Sequence, residues 1–201
     1  VSDPANYRDL LSNHAGGEAL DRLIRYAELL ERWSGRHNLV RFGSRAELVE
    51  RHIHEALAAA PLLEGRGRLL DVGSGAGLPG VPLLAVRPQW RGVLLEPRQK
   101  RWAFLRTVVR ELGLSADVVR LRYQDFALAG TYDRITCRAL GGQRAFLAWA
   151  RDRLTTTGEV WLWTTVEGLE TLEGCEAWRV LSSQLPGLVC GRLARLQPCF
   201  T

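Results

Sequence analysis

The sequence predicts an α/β fold, a doubly wound and mostly parallel sheet behind a helical N-terminal extension, and three observations predict it. Up to about residue 62 the apolar residues recur at helical spacing. Beyond that point short apolar runs of strand type alternate with helical stretches, the signature of parallel βαβ units. Where the first such run ends, the segment Leu69–Ala85 packs four glycines and two prolines into an apolar stretch, as a strand-to-helix turn at the ligand-binding end of an open sheet would require.

The elements follow in order. Leu20, Leu23, Ile24, Ala27 and Leu30 define a helix over 18–33, and 44–60 reads as a second, with Ser44 as its N-cap. Strands are expected at 68–72, 92–96, 117–121, 133–138 and 159–163, with helices at 79–87, 98–112 and 143–154 between them. The tail adds strand candidates at 178–185 and 192–197, joined by Pro186-Gly187. The expected division is a helical extension over 1–62, packed on a second part over 63–201. In helix 98–112 a core stripe of Trp102, Leu105, Val108, Val109 and Leu112 leaves Lys100, Arg106 and Arg110 toward solvent. Trp161 and Trp163, on one face of their strand, read as packing.

Composition narrows the function classes. With 46% hydrophobic and 24% charged residues in 201, the chain is an ordinary globular one rather than a disordered one. It has no apolar run of membrane-spanning length and no signal-peptide pattern at Val1–Leu11, so a cytoplasmic location without membrane attachment is expected. Cys137, Cys175, Cys190 and Cys199 form no C-x-x-C pair, which favours reduced structural thiols over a metal or disulfide framework. His52 and His54 lie two apart and cannot share a helix face, so no metal site is expected. The net charge of +5 permits an acidic partner, and its distribution says more: residues 87–122 hold nine basic residues against three acidic ones.

The glycines are Asp71-x-Gly73-x-Gly75-x-Gly77, an acidic residue followed by glycine at alternate places. Position 78 is Leu, so the G-x-G-x-x-G dinucleotide fingerprint fails, and no Gly-Lys-Ser/Thr follows for a nucleoside triphosphate. The pattern is that of loops holding S-adenosylmethionine, which has no pyrophosphate to cradle. Glu96 ends the second strand 23 residues past Gly73, near the roughly 20-residue offset at which a carboxylate takes a ribose diol. Asp71, Gly73, Gly75, Gly77 and Glu96 are therefore candidate cofactor residues.

The stretches "LLDVGSGAGLPGVPLLA" and "LLEPRQKRWAFLRTVVRELGL", with "LLERWSGRHNLV", "LVERHIHEAL" and "YDRITCRAL", resemble the bacterial 16S ribosomal RNA guanine-N7 methyltransferases, the glucose-inhibited division protein B family. The resemblance runs from about residue 20 to 165 and is most specific at Gly77–Pro82. It implies a Rossmann-like methyltransferase that uses S-adenosylmethionine on N7 of one guanine in small-subunit ribosomal RNA, as the RNA or its assembled particle. It also implies cofactor contacts at Gly73, Leu78, Tyr123, Gln124 and Arg138, and matches His52 to the family's Arg-His pair. The chain departs from the family pattern at Gln124 for glutamate, Glu55-Ala56 for Asp-Ser, and Thr164-Thr165 for Lys-Gly.

Guanine N7 carries a lone pair and no proton, so no general base is needed, and catalysis would rest on orientation. No catalytic triad is expected; Arg138 is the candidate at the reaction centre, with Asp125 or Glu55 as acceptors for charge developing on the purine. His52, Lys100, Arg101, Arg106 and Arg138 are candidate RNA contacts, and Cys137 reads as a buried strand residue. The expected partner is small-subunit ribosomal RNA, met by a monomer. A methyltransferase of this fold with a changed substrate, and a noncatalytic module binding S-adenosylmethionine or RNA, stay open at this stage.

Overall fold

The computed structural model describes residues 6–127, 130–138, 142–173, 177–183 and 192–199. A short helix α1 (Tyr7–Leu11) precedes the long α2 (Gly17–His37). A third helical run starts at Ser44, whose hydroxyl accepts the Glu47 N–H, and passes from α3 (Arg45–Leu48) through a π turn (Val49–Ile53) into α4 (His54–Leu57). The strands are β1 (Gly67–Val72), β2 (Trp90–Leu95), β3 (Ala116–Val119), β4 (Tyr132–Arg138), β5 (Leu154–Thr164), β6 (Trp178–Ser183) and β7 (Arg192–Pro198). Between them run α5 (Gly80–Val86), α6 (Gln99–Leu112), α7 (Gln143–Arg151) and α8 (Val166–Glu173).

The seven strands form one sheet in the order β3-β2-β1-β4-β5-β7-β6. Strands β1 to β5 are parallel, and β7 runs antiparallel between β5 and β6. The chain goes outward from β1 to β3 and then returns to place β4 on the other side of β1. This reversal opens a crevice at the carboxyl ends of β1 and β4, where open α/β sheets take their ligands.

Alternation along the strands divides the core between two faces. Leu69, Trp161 and Trp163 look toward the N-terminal helices, α5 and α6; Leu70, Val160 and Leu162 look toward α7 and α8. The N-terminal helices share their core with β1, α5 and α6, with α2 against both helices and α4 against α5. Cys137 is buried on the opposite face, and Cys199 is a half-buried free thiol. Cys175, Cys190 and Pro186-Gly187 lie outside the described residues.

Several expectations need correction. The first predicted helix extends to His37, and β5 begins at Leu154 rather than 159. Helices α1 and α8 carried no strong periodic signal. Trp102 is not in the core: the buried stripe of α6 is Phe104, Leu105, Val108 and Leu112, and Trp102 lies half-buried on the surface.

Candidate active site

The glycine loop leaves β1 at the switch point and is tied down from several sides. Ser74 N donates to Leu95 O at 2.9 Å, its hydroxyl donates to Asp71 O, and Ser74 O in turn accepts from Gly77 N and Leu78 N. Gly73, Gly75 and Gly77 all have positive φ, at 70°, 58° and 92°. They face different surroundings. A Cβ at Gly73 would meet nothing within 4 Å, and one at Gly75 only ordinary contacts, the nearest Arg101 Nη1 at 3.5 Å. At Gly77 it would stand 2.6 Å from Val81 Cγ2, and at Gly80 2.7 Å from Asp71 Oδ2. The loop is thus exposed at Gly73 and has room for a Cβ at the buried Gly75, whereas at Gly77 and Gly80 that space is already filled.

Asp71, expected among the cofactor residues, is fully buried behind the loop. Its Oδ1 accepts from the Thr136 hydroxyl at 2.7 Å and its Oδ2 lies against Gly80. Burial pushes its pKa up to about 6 against the Thr136 hydrogen bond. Gly77 is packed against α5, and the side chain of Leu78 lies in the core, so either would meet a cofactor through backbone alone. Glu96 sits where its offset predicts, just past β2, with Oε2 accepting Gly75 N at 2.9 Å and Oε1 accepting Arg98 N at 2.8 Å. Arg101 reaches the loop rather than the outer face.

Beside the loop is a cleft of about 520 Å³, lined by Gly73, Leu95, Arg98, Arg122, Tyr123 and Gln124 among others. This volume is in the range of small-molecule sites. The Tyr123 ring is held edge-on by Phe146 and Trp149, at 5.6 and 5.1 Å between centroids. Tyr123 and Gln124 thus share one crevice with Gly73.

At the end of β4, Arg138 Nη2 pairs with Glu55 Oε2 of α4 at 3.0 Å, both side chains partly exposed. The π turn precedes Glu55, and the Trp163 indole N–H fixes that turn of helix by donating to Glu55 O at 3.1 Å. His52 Nε2 lies 3.3 Å from Arg41 O, and its enclosed Nδ1 has no hydrogen-bond partner among the described residues. Burial lowers the His52 pKa, with Arg138 and Arg51 adding to the effect and Glu55 and the Arg41 carbonyl opposing it. His54 turns away to meet His14, 3.2 Å between their Nδ1 atoms. Asp125 is exposed on the turn after Tyr123. Lys100 and Arg106 are exposed on α6.

Two contributors escaped the sequence reading. The buried Tyr26 of α2 donates its hydroxyl to Ala76 O at 2.8 Å, so the extension grips the glycine loop directly. Its signal was there, three residues past Leu23 on the same helix face. Thr136 stands opposite Asp71 in the strand register, between Ile135 and Cys137. Thr165 has a local role: its hydroxyl accepts the Gly168 N–H and starts α8, while a Cβ at Gly168 would fall 2.1 Å from the Thr164 hydroxyl.

Comparison with known proteins decides the family. Residues 19–182 match the description of GidB, rRNA small subunit methyltransferase G. The chain belongs to this family. It is 40% identical over 146 residues to a ribosomal RNA small subunit methyltransferase G from Yersinia enterocolitica, covering 70% of each chain. With that from Laribacter hongkongensis it shares 36% over 171 residues, 85% of this chain and 77% of the relative. Among solved structures, a ribosomal protein L11 methylase from Lactobacillus delbrueckii subsp. bulgaricus superposes with a TM-score of 0.61 at 13% identity, over 79% of this chain and 81% of that one. That likeness shows the methyltransferase fold alone. No helix among the described residues is long and apolar enough to cross a membrane.

Proposed function

We propose that this chain transfers the methyl group of S-adenosylmethionine to N7 of a guanine in small-subunit ribosomal RNA. The observation that supports it most is the space left at Gly73 and Gly75 of the glycine loop, backed by Glu96 at the switch point, in a chain of the rRNA small subunit methyltransferase G family. Gly73 and Gly75 would let the cofactor approach the backbone, Glu96 would offer its remaining lone pairs to the ribose, and Tyr123 and Gln124 would border it along the cleft. Arg138 would take a carboxylate or the base at the mouth. Bound there, S-adenosylmethionine supplies an electrophilic methyl group on a sulfonium.

The protein's own contribution is orientation and exclusion of water. N7 carries its own lone pair and needs no base. Glu55 holds Arg138 from one side, so the guanidinium meets its ligand already aimed. Lys100 and Arg106 would take RNA phosphates, and Arg101, from its place beside Gly75, would stand between cofactor and RNA. We place the enzyme in the cytoplasm, acting as a monomer without metal on the small-subunit particle. The Thr164-Thr165 pair has a local explanation in starting α8 and does not by itself point to another substrate.

The test is incubation with tritium-labelled S-adenosylmethionine and small subunits from a strain lacking the family enzyme. Label recovered as 7-methylguanine in the 16S RNA is the expected result. Label elsewhere would show a changed substrate, and cofactor binding with no transfer a noncatalytic module.

A further inference from the structure

The sheet edge beside the cleft carries charge that no ion pair among the described residues neutralises. Arg98, Lys100, Arg106, Arg120 and Arg122 are all exposed, and among the described residues these five form no ion pair. On the N-terminal helices Arg8, Arg22, Arg25, Arg45 and Arg51 each sit against a carboxylate, while the exposed Arg32 and Arg36 form no ion pair among the described residues. Near the edge, Asp117 is the second residue of β3, Asp125 ends the turn that Tyr123 starts, and Glu111 is taken by Arg25. Uncompensated like charge on one strip repels itself and suits a polyanion.

The strip is also built. Trp102 is half-buried, its indole N–H donating to Val118 O at 3.2 Å. The Arg106 guanidinium lies 4.9 Å from the centre of the Trp102 ring and that of Arg120, from the end of the edge strand, 5.9 Å. An arginine resting on an anchored indole has lost much of its rotamer freedom before binding and presents its N–H edge for a bidentate phosphate contact. Leu121, 39% exposed, stands between Arg120 and Arg122, and Arg122 and Arg98 line the cleft itself. The row of charges thus leads from Trp102 to the cleft beside Gly73, Tyr123 and Gln124.

We propose that this edge of α6 and β3 is the track for the single strand of ribosomal RNA that flanks the target guanine, with Trp102 as the post that sets Arg106 and Arg120. It rests on the RNA reading above. One row of cations interrupted by aromatic and apolar surface matches one phosphate chain with bases turned toward the protein, and a base presented to an enclosed site has to leave its stack. A strip that only kept the edge strand from pairing with other sheets would need the charges but not the anchored indole.

The experiment measures KM for small subunits lacking the modification, at saturating S-adenosylmethionine, across a series of KCl concentrations. Arg106→Gln with Arg120→Gln should raise KM about tenfold and reduce the salt slope by about 1.4, at roughly 0.7 per phosphate of a single strand. Trp102→Leu, which removes no charge, should raise KM about fivefold, the equivalent of two exposed cation–π contacts. Arg32→Gln with Arg36→Gln, an equal charge loss on exposed positions of α2, should leave KM and slope at the parent's values. Calorimetry with S-adenosylmethionine reports whether each variant has kept its fold. Equal effects from the α2 pair, or a folded Trp102→Leu with the parent's KM, would overturn the track. If the parent methylates no subunits, the RNA reading fails separately. The same variants are then compared by filter retention of a single-stranded 16S oligonucleotide, where loss of retention by the edge variants alone supports the track and parental retention by them overturns it.

Discussion

The front and the rear of the glycine loop use one residue type for opposite ends. Gly73 and Gly75 leave a Cβ position with open space or ordinary contacts beyond it; Gly77 and Gly80 leave one already filled by Val81 or Asp71. Both halves lie within a few residues and share positive φ at Gly73, Gly75 and Gly77. The difference teaches that a motif's glycines divide between ligand access and helix docking, and that only the surroundings tell which is which.

A matched pair of substitutions should break or confirm this division. Gly77→Ala adds a methyl group against Val81 to the strain of a left-handed residue, so stability should fall by about 2–5 kcal/mol, summing overpacking and backbone costs. Chemical denaturation measures it. Gly75→Ala carries only the backbone cost, about 1–2 kcal/mol, yet cofactor affinity by calorimetry should fall at least as far as in Gly77→Ala at temperatures where both are folded. Gly75→Val should abolish binding. If Gly75→Ala binds as the parent does, the front of the loop is not a ligand surface.

Glu96→Ala sharpens the front. It removes the acceptor of Gly75 N–H and the proposed ribose partner, and should weaken cofactor binding by about 1.5–3 kcal/mol. Asp71→Asn sharpens the rear through pH. Because burial raises the Asp71 pKa from 3.8 to about 6, the folded state holds a proton that the unfolded chain releases between those values. This group's contribution to stability therefore declines as pH rises through that window and is level above it. Urea midpoints across the window should show a shallower decline for Asp71→Asn than for the parent. An identical dependence would mean Asp71 ionises as freely in the fold as out of it. Thr165→Gly should cost a few tenths of a kcal/mol, the usual change from threonine to glycine at an N-cap, and leave cofactor affinity alone. A shift in that affinity would tie α8 to the site.

What the sequence made legible was whatever depends on neighbours along the chain. Periodicity located β1 to β5 within a few residues, and the Gly73-to-Glu96 spacing placed a carboxylate against the loop, because both are local patterns. What it hid depends on partners far away. Nothing near Trp102 says that Arg120 will lie by its ring, nor does anything near Asp71 say that Thr136 will enclose it. Helix α1 is too short for a periodic signal, and α8 depends on a cap whose partner is Gly168. Arg101 sits one residue from Lys100 in a basic run, yet the turn of α6 sends one toward the loop and the other to solvent.

The bond from the Trp163 indole to Glu55 O spans 108 positions of sequence, and Tyr26 reaches 50 positions ahead to Ala76. A nascent chain therefore carries the whole glycine loop long before it can carry a finished mouth. While residues beyond β4 are still to be made, α4 has no Trp163 to fix it, so Glu55 has no settled place from which to aim Arg138. Contacts of such separation are slow to close. The last-made third of the molecule thus times when the first-made helices become part of an active site.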